Sequence, residues 1–168
     1  VRPEGEIAPP PERVFVRDIR GRVMIPAHAR LAHRRLRSKL SDIAAWNEES
    51  GLAEHFEGSA DLGIICSGVA FMHAREAAPE ARILKLGMTH PLPIGVIRRF
   101  AEGVRRCLVI EEGDPYLADS IRAAGVAVAS KPDMHRFGEL DVERVRRILR
   151  GDTSPEPEPA GGAPPALC

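Results

Sequence analysis

The chain has 168 residues, enough for one domain with an ordinary core. Its 24 Lys and Arg balance its 24 Asp and Glu, which excludes the basic excess of a dedicated nucleic-acid binder. Apolar residues make 43% and aromatics only 4%, so the core must be built from Ala, Val, Ile and Leu. No apolar run approaches the ~20 residues of a membrane helix.

Residues 1–13 include Pro3, Pro9, Pro10 and Pro11 and read as a linker or extended arm. Val14 to Ile25 is mixed, with Val23-Met24-Ile25 as a short extended segment. A long helix follows Pro26, about Ala27 to Glu49, with Ala29, Ala32, Leu36, Leu40 and Ile43 as its apolar stripe. Arg30, Arg34, Arg35, Arg37 and Lys39 decorate the rest, either as a solvated face or as a site for phosphate groups. Ser50-Gly51 ends this helix, the glycine being suited to a left-handed cap. Few partners are evident for such a helix, so residues 1–58 are expected to link to a preceding domain.

Asp61 to Cys66 is the first clear strand. Ser67-Gly68 turns it into a short helix, Val69 to Ala77, for which Ser67 is a natural N-cap. The same turn could hold an anion at the helix N-terminus, although it lacks a fuller Gly-rich fingerprint. A βαβ unit follows. Ile83, Leu84 and Leu86 make one strand and Cys107 to Ile110 the next, both apolar on two faces. Ile94, Ile97, Ala101 and Val104 form the inner stripe of the helix between them. Asp114 as N-cap and Pro115 start another helix that runs to about Ala124. Val126 to Ala129 is the next strand, and Asp141 caps a last helix with Val142, Val145 and Ile148 inward. Residues 151–168 are rich in Pro, Gly and Glu and are expected to be disordered.

The order from residue 59 to 150 is therefore β-α-β-α-β-α-β-α. It predicts an α/β, three-layer α-β-α domain with a mostly parallel sheet of at least four strands. Ligands of such sheets bind beyond the carboxyl ends of the strands. The candidate interface or ligand positions are therefore Ser67, Gly68, Gly87, Thr89, His90, Glu111 and Glu112, with Ser130-Lys131 at a further strand end. Gly87 must serve either a positive φ or a close backbone approach. His90 is either a functional imidazole or a loop residue bonded to backbone. Glu111 and Glu112, adjacent on a strand, point to opposite faces and cannot act as an acid–base pair. One is expected to cap a helix or meet an Arg, the other to contact a partner domain. Cys66 and Cys107 lie in predicted strands and Cys168 is terminal. Without C-x-x-C or Cys/His ligand spacing, they read as small hydrophobes rather than metal ligands, and cytoplasm is the default compartment.

Several short motifs, in order, carry a resemblance. They are Met24-Ile-Pro-Ala-His-Ala-Arg30, Leu62 to Val69, Leu84-Lys-Leu-Gly-Met-Thr89, Pro91-Leu-Pro93, Ile97-x-x-Phe-Ala-Glu-Gly-Val104, Val109-Ile-Glu-Glu112 and Phe137-Gly-Glu-Leu140. Together they resemble the transketolase C-terminal-like domain, and more narrowly that of the indolepyruvate:ferredoxin oxidoreductase alpha-subunit family. His90 stands where that pattern has an aromatic residue, and Ser50-Gly51-Leu52 replaces its Ser-Pro-Leu-Asn. The resemblance implies a multidomain enzyme that oxidatively decarboxylates aryl 2-oxoacids. It would use thiamine diphosphate with Mg²⁺, form an acyl-CoA from coenzyme A, and pass electrons through 4Fe-4S clusters to ferredoxin. The chain has neither a Gly-Asp-Gly…Asn run for the metal–diphosphate nor a C-x₂-C-x₂-C-x₃-C-P run. The resemblance thus implies a middle domain that itself binds no cofactor and whose partners are the remaining domains of the alpha subunit and a beta subunit. The alternative is a free-standing interaction or ligand-binding module of the same fold.

Overall fold

The alternation predicted from Asp61 onward is realised in the computed structural model, which describes residues 14–155. The readings of residues 1–13 and of most of the tail lie outside that range. The described residues divide into two compact units, the division falling between Leu40 and Ser41. In the first, α1 (Ile19–Arg22) is one short turn capped by Asp18, which accepts the Gly21 N–H at 2.8 Å. A longer helix, α2 (Pro26–Asn47), begins there and ends in the second unit.

The second unit holds a five-stranded sheet in the order β1-β3-β2-β4-β5, comprising β1 (Ala53–Phe56), β2 (Ser59–Ser67), β3 (Ala81–Leu86), β4 (Arg106–Ile110) and β5 (Ala129–Ser130). All pairs are parallel except β1 with β3. The antiparallel edge is the first departure from expectation. Residues 53–56 were expected in the linking segment, yet they pair Ala53 with Leu86 through Phe56 with Ile83. The sheet unit therefore reaches back past residue 58. Strand β1 sets two exposed polar residues, Glu54 and His55, between half-buried Ala53 and Phe56, a pattern without alternation and too weak for four residues to be read as a strand. The last strand is also shorter than Val126 to Ala129 and begins where that reading ended, because only Ala129 and Ser130 register against Leu108 and Val109.

Four helices cover the sheet: α3 (Ala70–Ala77), α4 (Ile94–Glu102), α5 (Tyr116–Ala123) and α6 (Val142–Arg150). Alternate strand residues feed opposite cores. Ile64, Cys66, Ile83, Leu108 and Ile110 pack with Phe71 and Ala74 of α3 and with Val145 and Ile148 of α6. Ile65, Leu84, Cys107 and Val109 pack with Ile97 and Phe100 of α4 and with Leu117 and Ile121 of α5. These two cores give the three layers, and each fully buried Ile or Leu contributes about 1.5–3 kcal/mol of transfer free energy. Asp141 caps α6 as expected, accepting the Arg144 N–H at 2.7 Å, and Gly151 closes the helix at φ +69°.

The two strand cysteines lie in different cores. Burial pushes the Cys66 thiol up to about 12, with Lys85 partly opposing it, and the Cys107 thiol up to about 11. Burial thus keeps both thiols protonated at neutral pH, where the thiol is a poor nucleophile. With Cys168 replaced by Ser, the native protein is expected to give no reaction with Ellman's reagent at about pH 8, and two thiols in urea. The sign of the linkage follows. Below the ordinary thiol value of 9.0 the two cysteines leave stability unchanged. As pH climbs from there toward about 12, the unfolded chain ionises first and stability falls.

Candidate functional site

The carboxyl ends of β2 and β4 are adjacent, while the chain leaves β2 toward β3 on one side and β4 toward β5 on the other. This is the topological switch point, where α/β sheets open a crevice. A cleft of about 370 Å³ lies there, lined by Ser67, Gly68, Val69, Ala70, Thr89, Glu111, Glu112, Asp114, Tyr116 and Leu117. Five of the seven candidate positions thus converge on one cleft. Gly87 and His90 are not among its lining residues.

Each element delivers its residues for a local reason. Strand β2 ends at Ser67, and Gly68 takes φ +54° to turn the chain into α3. Ser67 does not cap that helix. Val69 occupies the cap position and no side chain bonds there, because the turn places Ser67 two residues too early. At the end of β4, Gly113 takes φ +64°. The chain doubles back so that buried Glu111 caps α5, accepting the Leu117 N–H at 2.7 Å and the Ala118 N–H at 3.0 Å on its two carboxylate oxygens. The expected cap, Asp114, is displaced from that role, with Pro115 at the cap position. Capping by one of the two glutamates was among the readings of the strand end. Its neighbour Glu112 is exposed but accepts the Leu140 N–H at 2.9 Å. It therefore ties β4 to the loop before α6.

Lys131, at the end of β5, is 4% exposed and donates from Nζ to the Glu111 carbonyl at 2.6 Å. Burial lowers its pKa, and the Glu111 carboxylate works against that shift. His90 is exposed, its Nδ1 lying 3.3 Å from the Tyr116 hydroxyl. The imidazole thus meets a side chain of α5 and not the backbone. The His90–Pro91 peptide is cis. Gly87 has no positive φ, so its role is the close approach. Its N–H donates to Leu52 O at 2.8 Å, and a Cβ there would stand 2.8 Å from the same oxygen.

Two residues that sequence reasoning missed hold this turn. Asn47 is buried and donates from Nδ2 to Pro91 O at 2.9 Å. Glu48 accepts the Gly95 and Val96 N–H groups at 2.7 and 2.9 Å, capping α4 from 47 and 48 residues away. The polar Asn47-Glu-Glu-Ser50 run that ends α2 was the signal available for them. A cap this remote in sequence has no local pattern to reveal it.

The chemistry of the cleft follows from these commitments. Its rim offers the hydroxyls of Ser67, Thr89 and Tyr116 and the carboxylates of Glu112 and Asp114. Glu111 is spent on α5 and Lys131 on a carbonyl. The Tyr116 hydroxyl has the His90 Nδ1 3.3 Å away, and among the described residues no three His, Cys, Asp or Glu are grouped to hold a metal ion. Among the described residues that line the cleft there is no Lys, Arg or His to meet a diphosphate, and the carboxylates of Glu112 and Asp114 stand on its rim. An iron–sulfur cluster does not fit two buried, protonated thiols in separate cores.

No family model matches the chain. Among curated proteins it is similar to the indolepyruvate oxidoreductase subunit IorA of Methanothermobacter thermautotrophicus. The two are 37% identical over 138 residues, which cover 79% of this chain and 22% of that protein. The subunit IorA of Methanothermobacter marburgensis is 31% identical over 169 residues, 87% of this chain and 27% of that protein. The subunit IorA of Archaeoglobus fulgidus is 35% identical over 109 residues, 62% of this chain and 18% of that protein. The chain thus spans about a fifth to a quarter of the length of these relatives. Among solved structures, the fold is similar to a 2-oxoglutarate:ferredoxin oxidoreductase from Magnetococcus marinus determined with 2-oxoglutarate, coenzyme A and succinyl-CoA bound. The TM-score is 0.56 at 20% identity, covering 76% of this chain and 24% of that one.

Proposed function

Because the chain belongs, as a partial segment, to the indolepyruvate:ferredoxin oxidoreductase alpha-subunit family, we propose that it is the non-catalytic packing and assembly domain of a 2-oxoacid:ferredoxin oxidoreductase. The observation that carries this reading is how the strand-end residues are used. Glu111, Glu112 and Lys131 all hold this chain's own backbone. The remaining hydroxyls and carboxylates form a rim suited to hydrogen bonds from a neighbouring protein surface, not a reacting centre. Thiamine diphosphate, Mg²⁺ and the 4Fe-4S clusters then belong to other parts of the enzyme, together with the contacts to coenzyme A and ferredoxin. The partners of this domain are the remaining alpha-subunit domains and a beta subunit. Its boundary lies ahead of β1, since that strand completes the sheet, and the residues before it link to the preceding domain. No described helix is long and apolar enough to cross a membrane, and the cytoplasm suits an enzyme of this chemistry.

The test is direct. Calorimetric titration of the isolated chain with thiamine diphosphate and Mg²⁺ is expected to give no heat beyond dilution. Binding in the micromolar range, about 8 kcal/mol, overturns the assignment to a non-catalytic domain.

A further inference from the structure

Residues 14–40 differ from the rest of the chain in charge and in burial. They hold eight Lys or Arg against the single acid Asp18, and none of them is buried. Within α2 and the residue before it, Ile25, Ala29, Ala32, Leu36 and Leu40 recur at spacings of three and four and form one stripe. The stripe continues along the same helix to Ile43, half-buried, and Asn47, buried. Its earlier part is only partly covered: Ile25 is 47% and Leu36 50% exposed, while Ala29, Ala32 and Leu40 are half-buried. At about 100° per residue, Arg37 flanks the stripe on one side and Lys39 on the other, with Arg34 beyond Arg37.

Such a face needs a cover that supplies both an apolar floor and negative charge. Pairing with the same helix of a second copy would set arginines against arginines. A bilayer would gain little from a stripe this narrow, in which two of the five positions are Ala. Small residues instead let another backbone come close. Most of the length of the IorA relatives lies outside the region they share with this chain, so a long polypeptide is available to supply the cover.

We propose that the stripe Ile25–Leu40 docks into an acid-rimmed apolar groove on the portion of the oxidoreductase outside this chain, with Arg34, Arg37 and Lys39 facing carboxylates along its rim. This rests on the reading of the chain as a segment of a larger enzyme and names the chemistry of the surface that meets it. Apolar contact supplies the affinity, and the flanking charges set register and partner choice.

The test compares alkylation at introduced cysteines in the isolated chain and in the full oxidoreductase polypeptide, read peptide by peptide by mass spectrometry. Leu36→Cys is expected to react at least tenfold more slowly in the full polypeptide. Leu31→Cys, about 140° away around the helix, is expected to react at equal rates in both. Adding Arg34→Glu and Arg37→Glu to the full polypeptide should return Leu36→Cys to the rate of the isolated chain. Ala32→Cys repeats the measurement on the stripe where Leu36→Cys fails to assemble. Equal rates at the stripe in an assembled, active enzyme overturn the docking, as does protection of the isolated chain by phosphatidylserine vesicles or by raising its own concentration. Failure of the functional reading is separate. It appears as absence of 2-oxoacid-dependent ferredoxin reduction by the unmodified polypeptide.

Discussion

Glu111→Ala is expected to destabilise the sheet unit by about 2–4 kcal/mol, because a charged acceptor of two buried N–H groups is lost and both donors are left without a partner. The carboxylate accepts from Leu117 and Ala118 at 2.7 and 3.0 Å at the start of α5, the helix that brings Leu117, Ala118 and Ile121 into one of the two cores. Unwinding its first turn therefore loosens packing as well as hydrogen bonding. Lys131 adds to the cost. Its ammonium is buried beside this carboxylate, and removing Glu111 leaves it with only the weaker influence of Glu112 as an opposite charge, in a low dielectric. Glu111→Gln keeps one acceptor and the volume, and should cost about half as much. Asp114→Ala is the control. Asp114 is exposed and does not cap the helix, so its loss should stay within about 0.5 kcal/mol. Urea unfolding of the three variants separates the two possible caps. Equal losses for Glu111→Ala and Asp114→Ala would assign the cap wrongly.

The contrast between these two acids also marks where sequence reading works and where it stops. The apolar runs at Ile83–Leu86 and Cys107–Ile110 and the stripes of α4 and α6 report burial on a repeating period, and period is legible in a sequence. The three layers follow from it. The caps of α4 and α5 do not, because Glu48 reaches α4 across 47 residues and Glu111 reaches α5 over a glycine turn. Asp114-Pro115 satisfies the local rule for a helix start, yet a buried acid from the strand end takes both N–H groups first. Strand β1 was illegible for a related reason. It lies at the edge of the sheet, and its four residues report pairing with β3 and not their own hydrophobicity. The candidate cleft was legible in outline, since Ser67, Gly68, Thr89, Glu111 and Glu112 all come from strand ends that parallel topology must bring together. What each residue does there depends on bonds to Leu140, Lys131 and α5 that only the folded chain contains.

Gly87→Val is expected to cost about 1–3 kcal/mol, the range for forcing a side chain into packed structure, while His90→Ala, three residues on, changes stability by less than about 0.5 kcal/mol. The glycine does not hold a positive φ, so strain is not the reason. A Cβ at position 87 would meet Leu52 O at 2.8 Å and Leu52 Cβ at 3.3 Å. The first of these is backbone, and it also accepts the Gly87 N–H at 2.8 Å. It cannot swing aside without stretching that bond and carrying with it Ala53, the first residue of β1, which pairs with Leu86. Damage should therefore spread along the edge strand, and hydrogen exchange at residues 53–56 should accelerate more than at Ile64 or Ile65. Gly87→Ala should fall between valine and wild type, since it carries the clash without the branched methyls. His90 is exposed and its bond to the Tyr116 hydroxyl is 3.3 Å long, so solvent can replace it. In the assembled enzyme His90→Ala should lower turnover or assembly more than it lowers stability. If His90→Ala proves the more damaging change in the isolated chain, the turn from Gly87 to Pro93 is held by its imidazole and not by the approach of Leu52, and its reading as an interface falls.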